Sequence, residues 1–257
     1  MKTVACIALH YGREYLRWVI RGISPVVDRI HIFYAPAPTF GHATSLVCPD
    51  TLDALHAEVD AEADSKGLKC QVIWHEVRAV SEEAHRTSML HQALHDQADI
   101  MVIVDADEVW DPADLEATVR SIYDARARRW LTRFANFWRS FDWMVDDSFR
   151  PVRFVDMRPG AADDAYLDEV TQPGPIYHFG YAQRAELMRY KMACHGHKNE
   201  FRPGWLEDKF FGWKPGDVDT HPCVNNLWTP RATDPATRAV LARLLHDHPY
   251  QGLAVIP

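Results

Sequence analysis

The chain has 257 residues, a formal net charge of −8, 47% hydrophobic and 25% charged residues. These values suit one globular domain, or one domain with an elaborate tail; they exclude a disordered chain, and no short repeat indicates collagen or a coiled coil. No apolar run approaches the roughly 20 residues that cross a bilayer, and the N-terminal apolar stretch is too short for a signal peptide. We therefore expect a cytoplasmic protein without a membrane span.

Charge is distributed unevenly along the chain. Residues 1–119 carry 9 basic and 19 acidic side chains, whereas residues 120–215 carry 16 basic and 13 acidic ones. An acidic first part joined to an arginine-rich middle part indicates two tasks within one chain. The five cysteines are scattered without a Cys-x-x-Cys pair, which argues against a disulfide framework and a thiolate zinc site.

The first 105 residues alternate strand and helix patterns. Apolar and β-branched runs predict strands at residues 3–9, 29–34, 69–75 and 100–104. Helical spacing predicts a helix at residues 14–23. Further helices are predicted up to about residue 65, capped by Asp50 or Thr51, and up to about residue 96, capped by Ser81. The fourth strand is apolar at every position, which is typical of a central parallel strand covered on both faces. This order predicts an α/β fold with an open Rossmann-like sheet, which binds ligands at the carboxyl ends of its strands.

The pattern changes after residue 128. Residues 130–143 are aromatic and basic, and a Gly/Pro/Asp-rich loop is predicted at 159–175. A further strand is predicted at residues 151–157, and helices at 183–192 and 234–246.

The strongest functional signal is an acidic turn after the fourth strand. Asp105 and Asp107 stand two residues apart where this apolar strand ends. Two carboxylates at the carboxyl end of a buried strand place hard oxygen ligands in the crevice, which suits Mg²⁺ or Mn²⁺ bridging a diphosphate. The alternative is an acidic turn ahead of the helix that begins near Pro112, for which Asp111 already serves as a cap.

Three segments together resemble the GT-A glycosyltransferases, in particular the family 2-like group. They are residues 4–9 with Arg13-Glu14-Tyr15-Leu16, then Asp105-Ala106-Asp107-Glu108, then His178-Phe179-Gly180-Tyr181-Ala182 followed by Met188, Lys191 and His197. The resemblance covers roughly residues 1–200. It implies a GT-A fold in which residues 1–128 form a nucleotide-sugar-binding half and residues 129–257 an acceptor-binding half. It also implies a nucleotide-sugar donor and a divalent cation, Mn²⁺ or Mg²⁺.

The resemblance also implies roles for single residues on the donor side. Asp107 would bind the metal directly, and Asp105 would contact the donor ribose, or the metal through water. Arg86 would contact the donor. The second strand ends in Tyr34-Ala35-Pro36-Ala37-Pro38 instead of the family's Asp-rich turn, so the nucleobase is not identified. A UDP-sugar is the donor that we expect first.

The loop after the first strand lies where GT-A folds place the nucleobase and the ribose. Tyr11 could stack on a base beside His10, and Arg13 could contact phosphate. The alternative is that Arg13 and Glu14 merely begin a helix.

A histidine from the C-terminal half often completes the metal shell of GT-A enzymes. His178 is placed in sequence to be that ligand, and an imidazole would favour Mn²⁺. The alternative is a half-buried strand histidine that is hydrogen-bonded to backbone.

Basic residues follow in the next predicted helix and at its end. Lys191, His197 and Lys198 could neutralise pyrophosphate as it leaves. Otherwise they form a solvated basic helix end, which the helix dipole favours.

The acceptor side is predicted from the aromatic and basic segment. Alternation on a strand would give Trp138 and Arg139 a face for stacking on a sugar or a nucleobase. Inverting transfer needs a carboxylate base, and Asp142 has the best context because its aromatic neighbours could raise its pKa. The other candidates are Asp146, Asp147 and Glu169. Alternatively, Asp142 forms a structural salt bridge with Arg139 or Arg150.

The leading hypothesis is a metal-dependent glycosyltransferase that moves a sugar to a hydroxyl acceptor. The acceptor is a saccharide, or a hydroxymethylated pyrimidine in DNA if the protein is a phage enzyme that acts in the host cytoplasm. A nucleotidyltransferase or phosphohydrolase would use the same acidic strand end. A non-enzymatic sugar- or nucleic-acid-binding module is the third hypothesis, and its ligand binding would be indifferent to EDTA.

Overall fold

The computed structural model describes residues 1–38, 41–78, 81–167 and 173–251. The strands and helices follow in the order β1 (Thr3–Leu9), α1 (Arg13–Ile23), β2 (Arg29–Tyr34), α2 (Leu52–Lys66), β3 (Gln71–Glu76), α3 (Glu82–His95), β4 (Ile100–Asp105), β5 (Glu108–Val109), α4 (Pro112–Ala125), β6 (Ala127–Leu131), β7 (Phe134–Trp138), β8 (Trp143–Val145), β9 (Val152–Asp156), β10 (Ala162–Leu167), β11 (Ile176–Tyr181), α5 (Ala185–Cys194), β12 (Arg231–Ala232) and α6 (Pro235–Leu244). A short 3-10 turn (Lys198–Glu200) and a π-helical segment (Leu206–Phe211) follow α5.

The chain forms two compact units. The first contains Met1–Thr39, Asp50–Phe134 and Phe149–Ile176, and the second contains Phe40–Pro49, Ala135–Ser148 and Tyr177–Pro257. Each unit combines separate stretches of the chain, and the division at residue 128 into a donor half and an acceptor half stays a prediction. The chain returns to the first unit after residue 148 because β9 and β10 pair within its sheet.

The first unit is built on a mixed sheet with the strand order β10-β6-β9-β4-β1-β2-β3. Strands β4, β1, β2 and β3 are parallel, whereas β9 runs antiparallel to both β4 and β6. The predicted α/β class and its open sheet are thereby confirmed. Because β1 lies between β2 and β4, the strand order reverses at β1, and such a switch point is where open α/β sheets bind ligands.

Local sequence signals explain most of these elements. β1 is buried along almost its whole length, and α1 buries one apolar face, which includes Leu16 and Ile20. The predicted caps are confirmed, since the side chains of Thr51, Ser81 and Asp111 each accept a hydrogen bond from a backbone N–H in the first turn of their helices.

One predicted loop is partly a strand. The expected loop at 159–175 contains β10, which pairs in parallel with β6 at the edge of the sheet. This pairing is made by backbone groups at a sheet edge, and it needs no alternating apolar pattern that a sequence would reveal.

The second unit contains a sheet with the strands β12, β8, β7 and β11 in that order. An aromatic cluster forms its core, and Trp138 is at its centre, fully buried. The ring centroid of Trp138 lies 6.1 to 6.4 Å from those of Trp205, Trp213 and Trp228. In the part of the chain that the structure describes, no helix has both the length and the apolar character needed to cross a membrane.

Candidate functional site

The loop after β1 lies against the acidic turn after β4. The parallel register pairs Ala8 with Asp105, so both strands end at the same edge of the sheet. Gly12 has φ 135°, and a Cβ atom built there would lie 2.4 Å from the Cβ of Ala106. Glycine is therefore required, because no other residue combines that backbone conformation with so close an approach.

Asp50 fixes this loop in place. Its Oδ2 accepts hydrogen bonds from the backbone N–H groups of Gly12 at 2.8 Å and Arg13 at 3.0 Å, and its side chain is buried. A carboxylate at the N-terminus of α1 satisfies backbone donors that have no partner within the helix and interacts favourably with the helix dipole.

The structure places the three predicted residues of the loop differently. Tyr11 is half-buried and contacts the ring of His10 edge-on, with 5.5 Å between the centroids. His10 Nδ1 lies 2.7 Å from the carbonyl oxygen of Ala35, and burial lowers the pKa of His10, so its neutral ring donates from Nδ1. Arg13 is exposed and its Nε bonds Glu58 at 3.2 Å, which favours the helix-opening role over phosphate contact.

The Asp105 carboxylate is held by an arginine that sequence reasoning missed. Arg153 Nη2 donates to Asp105 Oδ2 at 2.5 Å, and the same guanidinium bonds Glu108 Oε1 through Nε at 2.9 Å. Glu108 Oε2 also accepts the backbone N–H of Asp105 at 3.2 Å. Both Arg153 and Glu108 are buried.

The electrostatics of this group follow from burial and proximity. Burial raises the pKa of the Glu108 carboxyl, and Arg153 opposes that rise. Burial alone would lower the pKa of Arg153, but Asp105 and Glu108 raise it above its ordinary value. Arg153 is therefore a permanent positive charge beneath the acidic turn.

Arg86 contacts the same carboxylate from α3. Its Nη2 lies 3.7 Å from Asp105 Oδ1 and 3.2 Å from Glu82 Oε1. This contact is not predicted from the sequence, and a role of Arg86 in donor binding stays a prediction. The Nη1 atom of Arg86 is shielded from solvent and has no hydrogen-bond partner among the described residues.

Asp107 is the predicted metal ligand, and that role stays a prediction. It is buried, with 9% of its surface exposed, in the turn between β4 and β5. Within residues 1–38, 41–78, 81–167 and 173–251, no group of three or more His, Cys, Asp or Glu side chains is placed to hold a metal ion. Mg²⁺ is typically held by one or two carboxylates together with substrate phosphates and water, so the donor set fits a cation that arrives with a nucleotide.

In the second unit, the ring of His178 is oriented by Asn136. His178 Nδ1 lies 2.7 Å from the side-chain oxygen of Asn136, which is buried on β7. Donation from Nδ1 makes Nε2 the acceptor nitrogen of a neutral imidazole, which is the form that binds metals. The alternative interpretation, a histidine hydrogen-bonded to backbone, also stays open. A metal-binding role for His178 stays a prediction.

Gly180 allows Lys191 to approach His178. Lys191 Nζ donates to the carbonyl oxygen of Gly180 at 2.9 Å and is largely buried. A Cβ on Gly180 would lie 2.7 Å from His178 Cε1 and 3.3 Å from Lys191 Nζ. His197 and Lys198 are exposed, and His197 Nδ1 lies 2.8 Å from Glu200 Oε1. Their exposure favours the solvated helix end over a phosphate site.

The predicted acceptor residues belong to the interior of the second unit. Trp138 is 0% exposed, so the prediction that it stacks on an acceptor is wrong. Both faces of β7 are covered, whereas the alternating pattern suggests one open face. Arg139 is half-buried; its Nη1 donates to the carbonyl oxygen of Trp213 at 2.8 Å and its guanidinium lies over the Trp213 ring.

The predicted catalytic base is on the surface. Asp142 is exposed and its Oδ1 lies 2.8 Å from Arg238 Nη1, so the structure does not provide the apolar surroundings expected for it. A salt bridge was the alternative, and its partner is neither Arg139 nor Arg150. Asp146 pairs with Arg231 at 2.9 Å. Glu169 lies outside the described residues.

Comparisons with known proteins give structural matches only, since no family model and no curated protein matches the chain. The chain is similar to glucosyl-3-phosphoglycerate synthase from Mycobacterium tuberculosis, solved with Mg²⁺ and UDP, with 16% identity over 54% of this chain and 44% of the synthase and a TM-score of 0.34. A mannosyltransferase from Pyrobaculum calidifontis, solved with GDP-mannose and Mn²⁺, matches with 12% identity over 54% of this chain and 36% of its own, with a TM-score of 0.36.

A nucleotide-diphospho-sugar transferase from Desulfovibrio desulfuricans matches with 12% identity over 61% of this chain and 64% of its own, with a TM-score of 0.37. These matches thus span less than two thirds of each solved protein.

Proposed function

We propose that the chain is a metal-dependent glycosyltransferase that uses a nucleotide-sugar donor and a hydroxyl acceptor. One observation carries the proposal: at the switch point between β1 and β4, the Gly12 loop lies against a turn that carries two carboxylates. Nucleotides bind at such switch points, and a cation on the carboxylates offsets the charge of a diphosphate.

The donor-side residues of the first unit then have defined roles. Asp107 holds the divalent cation, and Asp105, paired with Arg153, serves as a hydrogen-bond acceptor for the donor. The cation supplies charge stabilisation to the departing diphosphate. His10 and Tyr11 contact the nucleoside from the loop above. A UDP-sugar is the donor to be tried first.

The acceptor hydroxyl must lose a proton if the transfer inverts configuration. We keep Asp142 as the proposed base; its carboxylate pairs with Arg238 in the structure. An Asp142→Asn variant should then lose transfer to the acceptor but keep donor binding.

The proposal is tested with a panel of nucleotide sugars and Mn²⁺, scored by donor hydrolysis without an acceptor. One donor should be turned over, and EDTA should stop the reaction. Asp107→Asn should abolish turnover and Mn²⁺-dependent binding of the nucleoside diphosphate, whereas Asp124→Asn, a change on the exposed side of α4, should leave both unchanged. Turnover that survives Asp107→Asn would refute the proposal.

Product analysis separates this reaction from phosphoryl chemistry, because glycosyl transfer releases a nucleoside phosphate and leaves a glycosylated acceptor. The salt dependence of acceptor binding separates a DNA acceptor from a saccharide acceptor. Binding to duplex DNA falls steeply as salt rises because phosphate contacts release counterions, and binding to a neutral saccharide does not.

A further inference from the structure

An irregularity in β9 delivers Arg153 to the acidic turn. Strand β6 pairs Trp130 with Phe154 and the next residue, Leu131, with Val152, so Arg153 is an extra residue on β9. Such β-bulges bend a strand and redirect a side chain, and they are common next to active sites. Both neighbours of Arg153 thus keep their places in the ladder while its own side chain is redirected.

The guanidinium of Arg153 bridges two carboxylates with different surroundings. Glu108 is completely buried, whereas the Asp105 side chain is 31% exposed at the edge of the sheet. If Arg153 only compensated the charge of Glu108, its contact with Glu108 would be enough and the contact with Asp105 would not be needed. The contact with Asp105, at 2.5 Å, occupies Oδ2 and leaves Oδ1 on the side of Arg86.

We propose that Arg153 is a positioning residue for the donor site, a role that rests on the proposed function. It fixes the rotamer of Asp105 and offsets part of its charge, so that this carboxylate accepts a hydrogen bond from the donor and the cation is left to Asp107. Forked, bidentate guanidinium geometry is what allows one side chain to hold both carboxylates.

The test separates positioning from simple charge compensation. Arg153→Met alone leaves Glu108 buried without its cation and should lower the urea midpoint. The double variant Arg153→Met with Glu108→Gln removes the buried charge as well, and the amide oxygen introduced at position 108 can still accept the Asp105 N–H. The urea midpoint should therefore recover. Nucleoside diphosphate binding should stay weakened by about 10- to 100-fold, the usual effect of losing a residue that orients a metal-site carboxylate.

A matched control is available on the same stretch of chain. Arg158 and Asp156 form another buried pair, with Nη2 2.7 Å from Oδ2, and Asp156 lies opposite Ile100, at the opposite end of β4 from Asp105. The double variant Arg158→Met with Asp156→Asn should keep wild-type binding of UDP with Mn²⁺, measured by calorimetry. Arg153→Lys, which keeps the charge but loses the fork, should fall between wild type and the Arg153/Glu108 double variant.

The outcomes distinguish the two ideas. If the wild type binds UDP with Mn²⁺ and the Arg153/Glu108 double variant binds it equally well, Arg153 is only structural and the inference is overturned. If the wild type binds no nucleoside diphosphate with any divalent cation, the proposed function itself fails. Recovery of the urea midpoint without recovery of binding supports the positioning role.

Discussion

Substitution of Asp50 measures how strongly the loop after β1 is held. In Asp50→Ala, the N–H groups of Gly12 and Arg13 both lose a charged acceptor at 2.8 and 3.0 Å. Hydrogen bonds to charged groups contribute about 1.5–3 kcal/mol each, and loss of a helix cap costs about 0.5–2 kcal/mol. Because both bonds share one oxygen, we expect a loss of about 2–4 kcal/mol in the free energy of unfolding.

Asp50→Asn separates the acceptor from the charge. The amide oxygen can still accept both N–H groups, so only the interaction of the carboxylate with the helix dipole is lost, about 1 kcal/mol. Asp53→Ala is the control, because Asp53 is an exposed acidic residue in the first turn of α2. Its loss should cost no more than a few tenths of a kcal/mol.

The assay is equilibrium unfolding in urea at about pH 7, with calorimetric binding of UDP and Mn²⁺ on the same samples. Asp50→Ala should weaken UDP binding as well, because the loop that carries His10 and Tyr11 is released. An Asp50→Ala variant within about 0.5 kcal/mol of wild type would refute the reasoning. Equal losses in the Asn and Ala variants would show that charge, and not the acceptor, holds the loop.

Two further predictions compare environments within the chain. Glu62→Ala should lower the free energy of unfolding by about 3–5 kcal/mol, because the buried Glu62 carboxylate accepts hydrogen bonds from Arg21 at 2.7 and 2.8 Å. Glu116→Ala should lower it by less than about 0.5 kcal/mol, because the ion pair of Glu116 with Arg120 is exposed, although at 2.6 Å it is as short. Similar losses in the two variants would contradict this ranking by burial. Burial, and after it the charge of Lys191, lowers the pKa of His195 from 6.5 to about 4. Between pH 4 and pH 6.5 the unfolded chain therefore binds a proton that the folded chain does not. The free energy of unfolding should therefore rise with pH across that window, and His195→Gln should reduce the rise by up to about 3 kcal/mol. If urea unfolding gives the same pH dependence for His195→Gln as for the wild type, the pKa of His195 is not lowered.

The elements that the sequence predicts well are those with local signals. β1 and β2 have the predicted bounds, and the cap residues Thr51 and Ser81 begin their helices as expected. A cap is a contact between residues three apart, so a short window of sequence contains all of the information.

Long-range contacts escape such reasoning. Asp50 precedes the cap of α2, yet its carboxylate serves α1, which is a relation between residues 37 and 38 positions apart. Arg153 lies in a strand that the sequence predicts, but its contact with Asp105 depends on a bulge for which no composition or periodicity gives a signal. The prediction for Trp138 is wrong for a related reason, since alternation describes one strand and not what covers it.

The position of β1 also has a consequence for the order of folding. β1 pairs with β2 about one helix later in the chain, but its other neighbour is β4, whose Ile100 lies opposite Thr3. Closing so long a loop costs chain entropy before any β1–β4 contact can stabilise it, so the β1–β4 pair should form late in folding. The acidic turn meets the Gly12 loop where that pair ends, and a partly folded chain would therefore lack the proposed nucleotide site. Protection by a bound nucleoside diphosphate would report completion of the sheet in a refolding experiment.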